Sequence, residues 1–453
     1  MSVSTDVQIV DSQFGTETIQ YRTPIKFGGR VVTDAVLVNV SVTVETRTGQ
    51  RGHGFGSMPM GNVWAWPSST LSTLETQEAM VELASRVAAQ SRIPVAAGHP
   101  LEITSKLAES YEALADAVRQ SLRITEPVPR LAQLVAASPT EAAIYDAYGK
   151  ALDRNVYHLL GAEFVSHDLS RWLGPEFHGE YLDRYTLREP KPRIPLYHLV
   201  GALDPLEERD VVKPVQDGLP ETLSAWIEAD SLTHLKIKLN GDDLDWDVHR
   251  VVSVERVAAE TQLRCRRHIW HYSLDFNEKC RDVQYVLQFL DELRRRSPAA
   301  FDRVQYIEQP THRDLQANRH QRMHQAAEIK PVVIDESLVD LVSLLLSREL
   351  GYSGVALKAC KGQTESLLMG AAAQKYGMFL CVQDLTCPGY SFLHSASLAA
   401  RIPTVAAVEG NSRQYCPVGN VPWAARYPTM FQVVDGMVDT SVLCETGLGF
   451  SRF

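Results

Sequence analysis

From residue 194 onward the chain repeats one pattern, a short apolar run followed by a segment of helix length. The runs fall at 194–200, 234–239, 271–277, 306–310, 332–337, 354–359, 378–383 and 404–410, and helical patterning covers 221–229, 246–260, 281–296, 339–350 and 363–376. Short apolar runs between helices are strands buried on both faces, and strands that alternate with helices pair in parallel. Eight of them predict an α/β fold, a closed parallel barrel whose functional residues stand at the C-terminal ends of the strands.

The first part of the chain follows another rule. Residues 7–19 and 31–46 are rich in β-branched side chains, and 52–56 is a short return, so three strands are expected. Between the first two, 21–29 carries the turn formers Pro24, Gly28 and Gly29. An irregular stretch at 57–69 holds Met58, Pro59, Met60, Trp64, Trp66 and Pro67. Helices are expected over 74–90, 106–123 and 139–160, then a long connection over 164–192. The expected organisation is an α+β unit with its connection over 1–190, the barrel over 191–415, and a tail over 416–453 that returns to the first unit. The segments 21–29 and 57–69 suit a partly apolar cover over the barrel mouth. Trp64 and Trp66 are either substrate-facing residues of that cover or ordinary packing.

A net charge of −10 and 22% charged residues offer no basic surface for nucleic acid. No apolar run approaches bilayer length, and the N-terminus lacks the basic-then-apolar pattern of a leader. The seven cysteines form no CxxC pair, which suggests core thiols in a reducing compartment. These features lead us to expect a cytoplasmic protein.

The chemistry lies at the ends of the runs. Asp275 lies close to the end of the third, Glu308 lies in the fourth, and Asp335-Glu336 comes near the end of the fifth. A single carboxylate there is usually a cap or an ion-pair partner. Three on consecutive strands make an oxygen-donor set for a hard cation such as Mg²⁺. In the second run, Lys236 and Lys238 share a face because strand side chains alternate. Two ammonium groups this close should lower the pKa of at least one, which is how a lysine becomes a base near neutral pH. The sixth run supplies Lys358, four strands away and therefore across the ring. The alternative is that these are surface lysines on fraying strands. Removing a proton α to a carboxylate needs both a base and a cation to stabilise the enediolate.

The segments LKIKLNG (235–241), LDFNEK (274–279), YIEQP (306–310), IDES (334–337) and VALKACKGQ (355–363) resemble, in order and placement, the enolase superfamily and its muconate lactonizing enzyme subgroup. The resemblance implies a modified (β/α)8 TIM barrel of the (β/α)7β kind with an N-terminal α+β capping domain. It implies Asp275, Glu308 and Asp335 as ligands of Mg²⁺ or Mn²⁺, with Glu336 and Asn277 as supporting residues. Lys238 and Lys358 become acid–base lysines, and Lys236 tunes Lys238. The implied reaction is racemisation or epimerisation of a small carboxylic acid, with cycloisomerisation or syn-dehydration as the alternative and a non-catalytic barrel further off. A homo-oligomer is also expected. The capping region departs from the family, with Gly54-Phe55-Gly56-Ser57-Met58 where members often read Gly-Tyr-Gly-Glu-Ala. The last two strands offer Gln383, Asp384, Glu409 and Asn411 as candidate substrate contacts, alongside Trp64 and Trp66. Glu409 and Asn411 only loosely match the Asp-x-Asp with which related dipeptide epimerases hold an ammonium group.

Overall fold

Three antiparallel strands open the chain: β1 (Val7–Phe27), β2 (Arg30–Thr46) and β3 (Arg51–Pro59), hydrogen-bonded in that order. The computed structural model describes residues 3–27, 30–93 and 96–452. Among the described residues, the longer helices that follow the sheet are α1 (Thr73–Ser91), α2 (Pro100–Ala108), α3 (Tyr111–Ser121) and α4 (Arg130–Ala151). Close approach decides how α4 lies on the sheet. A Cβ at Gly52, Gly54 or Gly56 would fall 2.1, 2.1 and 1.9 Å from the carbonyl oxygens of Ala147, Ala143 and Pro139. Two strand residues advance about 6.8 Å and four helical residues about 6.0 Å, so the two repeats run nearly in step. Side-chain-free positions on β3 therefore seat the α4 backbone directly on the strand.

The barrel strands are β4 (Arg193–Val200), β5 (His234–Lys238), β6 (His271–Asp275), β7 (Val304–Glu308), β8 (Val332–Ile334), β9 (Gly354–Lys358), β10 (Phe379–Gln383) and β11 (Val408–Glu409). All pair in parallel, and β11 pairs with β4 to close the ring. Among the described residues, the connections carry α5 (Leu223–Asp230), α6 (Leu244–Arg264), α7 (Val283–Arg296), α8 (His324–Ile329), α9 (Leu341–Glu349), α10 (Gln363–Lys375) and α11 (Tyr390–Arg401). The result is a (β/α)7β barrel with an N-terminal antiparallel-sheet domain. Tyr197, Tyr306, Val333, Ala356, Cys381 and Ala407 pack together as one buried cluster. Beyond the barrel, β12 (Met437–Asp439) runs antiparallel to β4. The following residues reach α4, where Leu448 N donates to Asp146 Oδ1 at 3.1 Å.

Several elements differ from the sequence reading. The segment 21–29 is largely strand: β1 continues to Phe27, with a register irregularity between Gln20 and Ile25 that absorbs Pro24. Gly28 and Gly29 lie outside the described residues. The helix expected over 106–123 is two helices, because Pro100 starts α2 early behind the N-cap His99 and the chain breaks before Tyr111. The helix expected from Pro139 begins nine residues sooner, at Arg130, with the proline inside it. The connection over 164–192 contains short helical turns, including Ser170–Leu173. No helix among the described residues is long and apolar enough to cross a membrane.

Candidate active site

Lys238, Asp275 and Glu308 are the last residues of β5, β6 and β7; Asp335 follows β8 directly; Lys358 ends β9. Register places them at one level, Lys238 beside Asp275 and Asp275 beside Glu308. Lysine strands therefore flank three carboxylate strands around one rim. All five residues are buried.

The ammonium groups are threaded among the carboxylates. Lys236 Nζ lies 2.8 Å from Glu308 Oε1, 2.9 Å from Glu409 Oε2 and 3.2 Å from Asp275 Oδ2. Lys238 pairs closely with the same Asp275 oxygen and donates to Asn277 Oδ1 at 3.1 Å. Asn277 also returns its N–H to Asp275 Oδ1 at 2.8 Å from a left-handed conformation, φ +48°. Lys358 Nζ lies 2.8 Å from Asp335 Oδ2.

Among the described residues, no three His, Cys, Asp or Glu side chains stand in metal-holding geometry. Ammonium groups lie against Asp275 Oδ2, Glu308 Oε1 and Asp335 Oδ2. For Lys236 the shift runs upward rather than down. Burial works to lower the Lys236 ammonium, but Glu308, Glu409 and Asp275 outweigh it and raise it well above its ordinary value. Lys358 is likewise raised: burial works to lower it, but Asp335, with Glu308 and Glu409, together outweigh that.

Two observations test whether the mouth suits a divalent cation. Asp275, Glu308, Asp335, Glu336, Asp384 and Glu409 face Lys236, Lys238, Lys358 and Lys361, so buried carboxylates outnumber ammonium groups by two. The surplus is visible in the acids: burial, with nearby carboxylates, pushes Glu336 up to about 8 and Asp384 up to about 7. Several buried oxygens also lack a hydrogen bond, namely Asp335 Oδ1, Glu336 Oε2, Gln383 Oε1 and Asn411 Oδ1. Asp335 Oδ1 is 3.0 Å from Lys361 Nζ, within ion-pair reach but outside hydrogen-bonding geometry. Surplus negative charge and unpaired oxygen acceptors fit a hard dication.

The rest of the rim is polar and closed. Gln383 Nε2 donates to Glu308 Oε2. Asp384 accepts from Cys387 N at 3.2 Å and Asn411 N at 3.4 Å. Trp64 reaches over from the capping domain, where Gly61 at φ +33° opens a short turn, Asn62–Ala65. Its indole N–H donates to Glu336 Oε1 at 2.9 Å, and its ring lies 4.5 Å from Lys358 Nζ. Arg313 Nη2 holds the Trp64 carbonyl at 3.0 Å and is itself paired with Glu278. Trp66 does not join this group. It turns into the capping domain, donating to Glu126 Oε1 at 2.6 Å. On the other side of the mouth Ile25 packs on Leu199 and Tyr415.

Three residues escaped the sequence reading: Arg313, Gln309 and Lys361. Gln309 Oε1 accepts from Asp335 N at 2.9 Å and from Ser337 N at 3.2 Å. The quoted segments YIEQP and VALKACKGQ contain Gln309 and Lys361, so position next to Glu308 and Lys358 was the available signal. Arg313 carried none.

The Enolase C-terminal domain-like family model matches residues 219–451, and the chain belongs to the enolase superfamily, in the group of muconate lactonizing enzymes and mandelate racemases. No curated protein matches the sequence. Solved structures share the fold at low identity. Muconate lactonizing enzyme from Pseudomonas fluorescens, complexed with muconolactone, is 17% identical over 99% of this chain and 97% of that one, with a TM-score of 0.58. Dipeptide epimerase from Cytophaga hutchinsonii, complexed with Mg and D-Ala-L-Val, is 16% identical over 98% and 96%, at 0.60. An enolase from Bradyrhizobium complexed with magnesium and mandelic acid gives 16% over 98% and 96%, also at 0.60.

Proposed function

We propose that this protein removes a proton α to the carboxylate of a small acid and returns it, as a racemase or epimerase, with Lys238 and Lys358 acting from opposite faces. The observation that carries the reading is the order around the rim: a lysine on β5, carboxylates on β6, β7 and after β8, and a lysine on β9. Asp275, Glu308 and Asp335 would hold Mg²⁺ or Mn²⁺, which supplies charge stabilisation to the enediolate oxygens. Lys238 accepts the proton from one face of the α-carbon, and Lys358 delivers one to the other. Each lysine must leave its carboxylate partner to do so, which a cation on those carboxylates favours. Lys236, bonded to three carboxylates, keeps its proton and orients Glu308 and Asp275. Trp64 closes the mouth and keeps water from the carbanion. Gln383, Asp384, Glu409 and Asn411 face the substrate from the last two strands, as acceptors for a donor group on it.

The neighbours' ligands, muconolactone, a dipeptide and mandelic acid, support a small carboxylic acid as substrate. One observation favours a second reading. Trp64 lies over Lys358, and a ring face stabilises an ammonium. A Lys358 held charged suits a cycloisomerase, in which one lysine is the base and the other steadies the intermediate. Exchange in heavy water separates the two. For each enantiomer of a turned-over acid, Lys238→Ala and Lys358→Ala should lose exchange of opposite hands, by about 10²–10⁴-fold. Exchange that depends on Lys238 alone with both hands would remove the racemase reading in favour of the cycloisomerase.

A further inference from the structure

The mouth contains one more ammonium than the proposed chemistry uses. Lys361 is 2% exposed, as buried as Lys236. It follows Lys358 by one tight turn, Ala359–Lys361, and Gly362 at φ +101° then lets α10 begin. The turn sends the Lys361 side chain back along the barrel wall. Its ammonium donates to the main-chain carbonyl of Asp335 at 2.5 Å and to that of Ala356 at 3.5 Å, and lies 3.0 Å from Asp335 Oδ1. Lys358 takes the other oxygen, Oδ2, at 2.8 Å. The two lysines thus divide one carboxylate between them.

Their settings differ. Lys358 lies beneath the face of Trp64, its ring centre 4.5 Å away, while Lys361 is 5.8 Å from the same ring and turns to two carbonyls of the wall. An ammonium has three N–H donors. Two of those of Lys361 go to the carbonyls of Asp335 and Ala356 and its charge lies against Asp335 Oδ1, so the group is committed to the wall rather than to a substrate. From this geometry we infer that Lys361 is a positioning residue: it clamps Asp335 by carbonyl and carboxylate together, so that Oδ2 points into the mouth where a divalent cation binds. The inference rests on the reading of Asp335 as a metal ligand. Residues that orient ligands in this way typically change metal affinity by about 10–100-fold when removed.

The sign of the effect makes the proposal testable. Lys361 is a positive charge beside a cation site, so Coulomb's law alone says that removing it should tighten metal binding. A clamp predicts the reverse. The experiment titrates the purified full chain with Mn²⁺, following free Mn²⁺ by electron paramagnetic resonance, for the native protein, Asp335→Asn, Lys361→Met and Lys361→Gln. Expected is one Mn²⁺ site, weakened severely in D335N and by about 10–100-fold in folded K361M and K361Q. Unchanged or tighter binding in either Lys361 variant, with D335N still defective, overturns the clamp while leaving the metal site standing. Native binding that D335N does not weaken overturns the metal reading itself. Failure of both Lys361 variants to fold also overturns the proposal, since the residue would then serve the barrel rather than the site.

Discussion

His99 caps α2 with its ring. Nδ1 accepts from Leu101 N at 3.1 Å, so Nε2 carries the proton and donates to Leu159 O at 3.0 Å. The ring is fully buried, and burial pulls its pKa down to about 3, the Leu159 carbonyl opposing only in part. Between that value and the ordinary 6.5, the unfolded chain holds a proton that the folded chain does not. Stability from this group is therefore complete above about pH 6.5 and falls as the pH drops toward 3, by about 1.4 kcal/mol per pH unit. His99→Asn keeps a side-chain acceptor for the helix N-terminus but cannot titrate. Its packing cost is the same at both pH values, whereas the acid-dependent loss between pH 7 and pH 5 should shrink by about 2 kcal/mol. Thermal unfolding of both proteins at the two pH values measures this; an equal loss in both would remove His99 from the acid response. At this scale the sequence was informative where a rule of spacing applied. Strand alternation put Lys236 and Lys238 on one face, and the ends of short runs located Asp275, Glu308 and Asp335. It was silent on Trp64 meeting Glu336 and on Arg313 meeting the Trp64 carbonyl, because those contacts join elements far apart in the chain and no local pattern encodes them.

Elements show the same division between local rule and long-range contact. The barrel strands were legible because each is a short, largely apolar run and all but the last are followed by a helix that leads to the next. The α4 helix was misplaced because Pro139 reads as a helix start. Inside the helix, Pro139 lacks the N–H that would reach Val135 O, and Ser138 Oγ donates there instead at 2.8 Å. What fixes α4 is its contact with β3, and glycine there makes a sharp prediction. A Cβ on Gly54 would stand 2.1 Å from Ala143 O and 2.3 Å from Ala147 N, both backbone atoms, so the helix or the strand must move. Gly54→Ala should destabilise the chain by about 3 kcal/mol or more, the upper range for overpacking. Gly15→Ala on β1, with nothing within 4 Å of the new methyl, should be neutral or slightly stabilising. Comparing melting temperatures of the two variants with the native chain decides the matter, and similar values for both would mean that α4 does not depend on the glycine row.

Across the whole molecule, the capping domain joins the barrel at several places, Glu141 and Tyr145 meeting Thr364 and the Phe55 carbonyl accepting from Tyr390 among them, and two further grips lie at the mouth. Near Trp64 the grip is Arg313, with Glu278 behind it. The other grip is Arg22 on β1. Its guanidinium meets Asp217 with Nε at 2.5 Å from Oδ2 and Nη2 at 2.9 Å from Oδ1, and adds a bond to Leu219 O at 3.3 Å. Asp217 belongs to the connection between β4 and α5, whose side chains Leu203 and Val212 are exposed at 56% and 98%. This connection and Arg22 line a cavity of about 260 Å³ with His198 and Trp226. The first part of the connection is held by Arg250 at the Gly201 and Asp204 carbonyls, by Tyr415 at Asp204 and by Arg256 at Glu207, whereas the part around Asp217 is held by the fork from Arg22. The guanidinium side chain is 7% exposed, so water screens the pair less than it would a surface ion pair. Hydrogen bonds between charged groups contribute about 1.5–3 kcal/mol, and their loss should speed local opening by roughly 10–100-fold. Arg22→Ala should therefore accelerate amide hydrogen exchange over residues 212–221, while exchange of β5 to β9 stays as in the native chain. Arg22→Lys keeps the charge but not the fork, and should fall between the two. Exchange in 212–221 that is the same in R22A as in the native chain would mean that this stretch is held by the barrel alone, and that the capping domain grips the mouth on the Arg313 side only.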